Sequence, residues 1–423
     1  MFSSLLGPVV CQGMSRWTCV TALGLGWALL ACGEPVPSAE SSSEATGSSE
    51  ESDTGSETSG GETSEPQPPD SYWELGDPAD YGFDPDALEQ VRAWAFGPGM
   101  LTQSLLIVRH GVLVAEWYEP GASGEDWVTS WSMAKSIAAT LIIIAIQDGL
   151  IPSLDEPMVS YIPEWAGSER EAVTLRHVLA MSSGFAWGES EDNLADLAAM
   201  ALSGDQLGYA LGQQVELEPG QVWNYSSGNS MLLSRVLAEA TGMSVEAYAI
   251  QELSEPLGFE RFEWWRDGAG NTLTYCCIDM LARDTARLAK LYLQRGVWDG
   301  AQLVDPELFD QLLTPGQPQN PSYGLHFWGN REGGAPDWPA IPRSTYYGRG
   351  HDKQLLMILP EQDLAVIRHS RFVRPEGPAE APNGLLEAGM MLEGLAGDTG
   401  TWPPGEDWDD GLLLELTLAA IVD

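Results

Sequence analysis

The longest apolar stretch in the folded part of the chain runs from Ile137 to Ile146, almost without interruption and with no Pro or Gly. Asp148-Gly149 bounds it, and a run of that length predicts a buried helix. Two shorter apolar, β-rich runs between Ser104 and Tyr118 flank His110-Gly111 and predict a β-hairpin. Leu355 to Leu359 and Leu364 to Arg368 flank Pro360-Glu361-Gln362-Asp363 and predict a second strand pair. Tyr323 to Trp328 reads as a further strand. Helical patterns fill the middle and the end. Asp84 to Val91 opens a helix with acids in its first turn. Thr174 caps a short helix that Gly184 ends. Leu232 to Thr241 stops at Gly242, and Asp279 to Arg295 stops at Gly296. Asn383 to Leu395 and Leu412 to Ile421 close the chain as helices. Strands early and late with helices between predict an α+β fold: one sheet assembled from both chain ends, with a helical insertion.

The first seventy residues follow different rules. Met14 to Cys32 has one positive charge, an apolar run and Leu29-Leu30-Ala31-Cys32, which reads as an export signal. The four residues resemble a bacterial lipobox, in which Cys32 would be lipidated; a plain cleaved signal or a single anchor are the alternatives. The residues before Met14 fit a signal poorly, so translation from Met14 is also open. Residues 33–71 are rich in Ser, Glu, Thr, Gly and Pro, and between Gly33 and Asp70 hold ten acids and no base. Such a segment buries too little apolar surface to order itself and is expected to be an acidic tether. The folded domain is then residues 72–423. The expected setting is an exported lipoprotein on the bacterial outer membrane or the periplasmic face, held to the membrane by its N-terminal lipid.

The formal net charge is -42, and most of it lies in the folded part. Phosphate binding needs a basic face, so nucleic acid is not an expected partner. The cysteines are Cys11, Cys19, Cys32, Cys276 and Cys277. None has zinc-ligand spacing. The adjacent pair Cys276-Cys277 reads as two small apolar residues, with a vicinal disulfide as the lesser option.

Candidate chemistry gathers at the head of the apolar helix. Ser132 and Lys135 are three residues apart, so both point to one side. A lysine withdrawn from water gives up its proton more readily, and the neutral amine can take a serine proton. The chain has only three lysines, Lys135, Lys290 and Lys353, and only Lys135 has Ser three residues earlier. The bland alternative is a core helix with a lysine near its solvent end. His177, inside a short helix, is expected to make a hydrogen bond to backbone rather than to act in chemistry.

Between Leu101 and His369 several short motifs occur together and in order: Ser132-Met133-Ala134-Lys135, Gln147-Asp148-Gly149-Leu150, Thr174 to Gly184, Pro219-Gly220 before Tyr225-Ser226-Ser227, Ala282 to Arg287, Tyr323 to Trp328, and Arg349 to Gln354. In these the chain resembles the serine β-lactamase and penicillin-binding-protein superfamily, within it most the esterase and 6-aminohexanoate-dimer hydrolase branch. The resemblance implies a β-lactamase-like antiparallel sheet flanked by helices, an α/β sandwich with an all-helical subdomain inserted. It implies Ser132 as the nucleophile that becomes acylated, Lys135 as the group that accepts its proton or tunes its partner, and Tyr225 as a phenol, held near an ammonium, that relays the proton to the leaving group. Gly350 and His351 would line the substrate strand. Gln354 would supply an oxyanion N–H, a kind of donor that contributes about 3 kcal/mol.

Two positions depart from the superfamily. Ser227 stands where an Asn is usual, and the Lys-Thr-Gly form is missing, with Lys353 where relatives have Gly. A lysine there would either point away from the cleft or narrow it. Both departures favour a small-molecule ester or amide as substrate over a β-lactam. Trp187 and Tyr323 are candidate cleft walls, with core packing as the alternative. Lysine-assisted acyl transfer implies neither metal nor organic cofactor. The competing readings are a D,D-peptidase or β-lactamase, and a surface module of penicillin-binding type without turnover.

Overall fold

The computed structural model describes residues 75–190, 193–334, 337–372 and 408–422. The expected signal, Cys32, the tether and the helix expected at Asn383 to Leu395 lie outside these residues. Eleven strands are present among the described residues: β1 Thr102–Arg109, β2 Val112–Tyr118, β3 Trp127–Thr129, β4 Phe262–Trp264, β5 Ile278–Leu281, β6 Val297–Trp298, β7 Ala301–Gln302, β8 Trp328–Gly329, β9 Tyr346–Gly350, β10 Gln354–Leu359 and β11 Leu364–Ser370. The main sheet is antiparallel with the order β2-β1-β11-β10-β9-β8. A small sheet, β3-β5-β4, stands beside it.

The β1–β2 turn is the one expected: His110 and Gly111 both take positive φ, +51° and +75°, as a two-residue turn matched to strand twist requires. Strand β1 pairs with β11 in register Leu105↔Arg368, Leu106↔Ile367. The centre of the sheet therefore joins the two ends of the domain. Both faces of the sheet are covered, which is why β1 is buried along its whole length and its Leu105 to Val108 run is apolar without alternation. Leu105, Ile107, Met357 and Val366 face one core, and Leu106, Val108, Leu356 and Ile367 face the other.

The helices are α1 Pro85–Ala95, α2 Ala134–Gln147, α3 Leu175–Leu179, α4 Ala195–Ala201, α5 Gln206–Leu211, α6 Ser227–Thr241, α7 Val245–Ala249, α8 Glu255–Leu257, α9 Ala282–Leu293, α10 Pro306–Leu313 and α11 Asp410–Ala419. Helices α1 and α11 pack together on the first face, and the segment before α1 joins the end of α11 where Asp84 N–H donates to Ala420 O at 2.8 Å. Helix α9 covers β1, β10 and β11 on the second face, and α2 packs between α6 and β9. Almost every side chain of α2 from Ala134 to Ala145 is buried, in keeping with its unbroken apolar sequence.

Several boundaries differ from those the sequence suggests. Helix α6 begins at Ser227, not Leu232, because Ser226 Oγ caps it by accepting from Asn229 N–H at 3.0 Å. Residues Ile278–Leu281 are drawn into β5 by β3 and β4, so α9 starts only at Ala282. Helix α3 ends at Leu179, where Met181 turns left-handed at φ +57°, before Gly184. Only Trp328 of the expected Tyr323 to Trp328 strand joins the sheet, since His326 at φ +62° breaks the extension. His177 behaves as expected: its Nδ1 accepts from the Thr174 backbone N–H at 3.2 Å, closing a capping box. The Ala282 to Arg287 motif is structural. Asp284, fully buried, accepts from the N–H groups of Glu260, Arg261 and Leu281 and from the Arg287 guanidinium.

Two buried histidines tie elements together. His369 Nδ1 meets Ser104 Oγ at 2.9 Å and its Nε2 meets Thr285 Oγ1 at 3.1 Å. His326 Nδ1 meets Leu179 O at 2.8 Å and its Nε2 meets Ser230 Oγ at 2.9 Å. Burial pushes both pKa values down to about 3, helped by Arg368 near His369 and Lys135 near His326. Their folded values lie below the unfolded value of about 6.5. Below that pH the unfolded chain binds protons that the folded chain refuses. Their contribution is present above about pH 6.5 and is lost as pH falls toward 3, each at about 1.4 kcal/mol per pH unit. Denaturant unfolding at pH 7, 6, 5 and 4 is therefore expected to show a steadily falling midpoint. His369→Gln should flatten that fall; an equal slope in the variant would contradict the assignment.

Candidate active site

The segment leading into α2 is held rigidly. Ser130 N–H donates to Ile278 O at 2.8 Å, and Ser130 Oγ accepts from Ile278 N–H at 2.9 Å. Both bonds tie it to the start of β5. Trp131 then takes φ +42°, an uncommon conformation for a bulky residue. Its carbonyl accepts from Cys277 N–H at 3.3 Å and from Ser130 Oγ at 3.1 Å. A 3-10 turn, Trp131–Met133, carries Ser132 onto the head of α2. Ser132 is half-buried there, while Lys135 is 2% exposed.

Lys135 Nζ donates to Ser132 Oγ at 3.0 Å, to Ser227 Oγ at 3.1 Å and to Tyr275 O at 2.9 Å. An ammonium has three donors, and each has an acceptor. The Tyr225 and Tyr275 ring centroids lie 5.0 Å and 5.7 Å from the same nitrogen, within cation–π range. Tyr225 thus reaches Lys135 with its ring face. Among the described residues its hydroxyl makes no hydrogen bond to Ser132 or Lys135, while its ring lies beside the ammonium as expected.

Ser227 opens the first turn of α6 and is fully engaged. Its Oγ donates to Glu189 Oε1 at 2.6 Å and its N–H to Glu189 Oε2 at 2.6 Å. Trp187 Nε1 donates to Glu189 Oε2, also at 2.6 Å. Trp187 is 8% exposed and lies against Gly228 and edge-on to Tyr209. It is a support for Glu189 rather than a cleft wall. Tyr323, the other expected wall, is 1% exposed inside an aromatic cluster with Trp223, Tyr225 and Trp328. Burial, with Tyr225 and Glu189 nearby, drives its pKa far up. The half-buried rings beside Tyr225 are instead Trp223 and Trp328, the latter stacked on it at 6.0 Å.

The strand beside Ser132 is β9. A Cβ at Gly350 would stand 2.3 Å from Ser130 O and 3.0 Å from Trp131 Cβ, so only glycine lets the strand approach so closely. The His351 ring packs edge-on against Trp131, with centroids 5.7 Å apart. Gln354 does not fill its expected role. Its backbone N–H donates to His351 O, and its side chain is fully buried against Ser370 on β11. An N–H closing the turn is not available to an oxyanion.

Asp352 and Lys353 both have positive φ, +55° and +60°, a backbone that Gly enters freely and Lys does not. Buried Arg368 holds this turn by donating to both carbonyls, at 2.7 Å and 2.9 Å. The charges around Lys353 are Arg349, Asp410, Arg368 and Asp409, which lie toward α11 rather than Ser132.

Cys276 and Cys277 form a vicinal disulfide, which corrects the reading of two reduced apolar residues. Cys277 takes φ +71°, and the pair lies directly after the Tyr275 carbonyl that receives Lys135. Two residues of the network around Lys135 were not legible in the sequence. Glu189 lies in an acidic loop and resembles any solvated acid. Tyr275 acts through its carbonyl, which every residue has.

Comparison with known proteins agrees with this architecture. The family model described as Beta-lactamase matches residues 95–389. A 6-aminohexanoate-dimer hydrolase from Paenarthrobacter ureafaciens is 24% identical over 318 residues, covering 69% of this chain and 77% of that protein. Among solved structures, EstCE1, a hydrolase with promiscuous acyltransferase activity, superposes with a TM-score of 0.57 at 15% identity, covering 72% of this chain and 97% of its own. A penicillin-binding protein homologue from Caulobacter crescentus superposes with a TM-score of 0.54 at 15% identity, covering 74% and 96%. These two likenesses concern the fold.

The close approach of β9 is testable. Gly350→Ala is expected to cost about 1–3 kcal/mol by overpacking against Ser130, read as a lower denaturant midpoint. Gly204→Ala, whose Cβ would meet nothing within 4 Å, should leave the midpoint almost unchanged. Equal midpoints for the two variants would contradict the contact.

Proposed function

We propose, from the premise that this chain belongs to the beta-lactamase family, that it hydrolyses small esters or amides through an acyl-enzyme on Ser132. The observation that carries this reading is the lysine buried to 2% exposure with Ser132 Oγ 3.0 Å from its nitrogen. In its neutral form that amine is placed to take the hydroxyl proton as Ser132 attacks a carbonyl carbon. The resulting ammonium then gives the proton to the leaving oxygen or nitrogen. Water repeats the sequence on the acyl-enzyme: its proton passes to Lys135, its oxygen bonds to the carbonyl carbon, and Ser132 leaves with the proton returned.

Three further observations support esters or small amides. Ser227 occupies the position of a substrate-binding Asn, and its hydroxyl is engaged with Lys135 and Glu189. Gly350-His351-Asp352 replaces Lys-Thr-Gly. The similar Paenarthrobacter protein is a 6-aminohexanoate-dimer hydrolase. Tyr225 serves in this reading as the ring under the Lys135 ammonium, and His351 as the polar group at the substrate edge. Attachment to a membrane through a lipid on Cys32 belongs to the same proposal.

A fluorophosphonate probe is expected to label the wild-type protein and not Ser132→Ala. That variant should also lose about a thousandfold or more in turnover. Equal labelling of both proteins would refute the acyl-enzyme. Short p-nitrophenyl esters and an aminohexanoate dimer should be turned over faster than a chromogenic cephalosporin, and the reverse order would overturn the substrate class. Cys32→Ala should move the protein from the membrane fraction to the soluble fraction.

A further inference from the structure

We propose that Glu189 is a positioning residue that takes up, through the Ser227 hydroxyl, the proton Lys135 must shed before it can act on Ser132. The inference rests on the reading of Ser132 as nucleophile.

Its basis is the set of three acceptors around Lys135. A charged ammonium there is fully satisfied and has no lone pair to offer. To become a base it must pass a proton to one of its partners. The Tyr275 carbonyl cannot pass a proton onward. Ser132 is the group to be deprotonated. Only the Ser227 hydroxyl can accept a proton on one side and release its own on the other. That release has a destination: Glu189 Oε1 stands 2.6 Å from Ser227 Oγ.

Glu189 is held for this task. Its Oε2 receives the Ser227 N–H and the Trp187 indole N–H, both at 2.6 Å. It lies at the N-terminus of a fifteen-residue helix, α6, a favourable place for a carboxylate. The Ser227 departure then has a chemical meaning. An asparagine amide in that position could accept from Lys135 but could not hand a proton on. A serine together with a carboxylate can.

The step balances. One Nζ–H bond of Lys135 breaks as an O–H bond forms on Ser227. The original Ser227 O–H bond breaks as an O–H bond forms on Glu189. No net charge enters or leaves, because an ammonium and a carboxylate become an amine and a carboxylic acid. Lys135 can then take the Ser132 proton. Lys135 and Glu189 thus exchange one proton through the Ser227 hydroxyl that lies between them. The other titratable groups facing them are Tyr225, Tyr275, Tyr323 and His326. Burial keeps Tyr323 protonated and His326 neutral, so these two do not change charge between about pH 5 and 9.

The test is the pH profile of kcat/KM for p-nitrophenyl acetate in wild type, Glu189→Gln, Ser227→Ala and Ser227→Thr. The relay predicts that the acidic limb of the wild type lies at lower pH than that of Glu189→Gln. In Glu189→Gln, Lys135 must lose its proton to water. Activity at pH 7 should fall at least tenfold and recover as the pH is raised. Ser227→Ala should behave alike, and Ser227→Thr, which keeps a hydroxyl, should stay within a few-fold of wild type.

A carboxylate acting only by its charge gives the opposite sign, because removing it favours the neutral amine and moves the limb to lower pH. That result, or an unmoved limb, overturns the relay. If Glu189→Gln fails to fold by circular dichroism, Ser227→Ala carries the same test. Fluorophosphonate labelling of the wild type separates the two claims. An unlabelled wild type refutes Ser132 as nucleophile, whereas a labelled wild type with coincident profiles refutes the relay alone.

Discussion

The rest of the site depends on one constraint: an ammonium buried to 2% exposure must have every donor satisfied. An unpaired charge in such a place costs several kcal/mol. Lys135 meets the requirement with partners from three separate parts of the fold. One is on the 3-10 turn beside it, one on the first turn of α6, and one is a carbonyl between β4 and β5. The site is complete only when these parts have assembled. Elements distant in the fold, such as the Ser226 cap of α6 and the β3–β5 pairing, thereby help set the positions of Lys135 and Ser132.

A second feature is the left-handed backbone on both sides of Ser132. Trp131, Cys277, Asp352 and Lys353 all have positive φ. Isolated residues of these types do not favour such conformations. Here each is held by its surroundings. The Trp131 carbonyl and Cys277 N–H are bonded to each other, and Arg368 clamps the carbonyls of Asp352 and Lys353. Gly350 lets β9 press against the turn that carries Ser132. Ser132 is thus set on a backbone that is hydrogen-bonded and packed on both sides.

Much of the fold was legible locally. The β1–β2 hairpin, α2, the β10–β11 pair and the closing helix α11 all follow from periodicity and turn residues, because neighbours in sequence decide them. The β-lactamase-like architecture followed from motifs in order. What failed was local pattern in competition with distant partners. Ile278–Leu281 continues a helical pattern but is taken by strands on either side. Tyr323 and Trp187 look like exposed cleft aromatics and are buried. Gln354 looked like an oxyanion donor, yet its N–H closes its own turn.

Sequence alone determined the Ser132–Lys135 pair. Three residues at the head of an apolar helix put hydroxyl and amine on one side, and no other part of the chain is needed for that. Tertiary structure decided where the other two amine protons go, since their acceptors lie 92 and 140 residues along the chain. It also decided that Glu189, one acid among 62 Asp and Glu, stands behind Ser227. A carboxylate in an acidic loop and a backbone carbonyl carry no local signature. Only the packing of α6 and the β4–β5 segment around one buried charge gives them a part in the site.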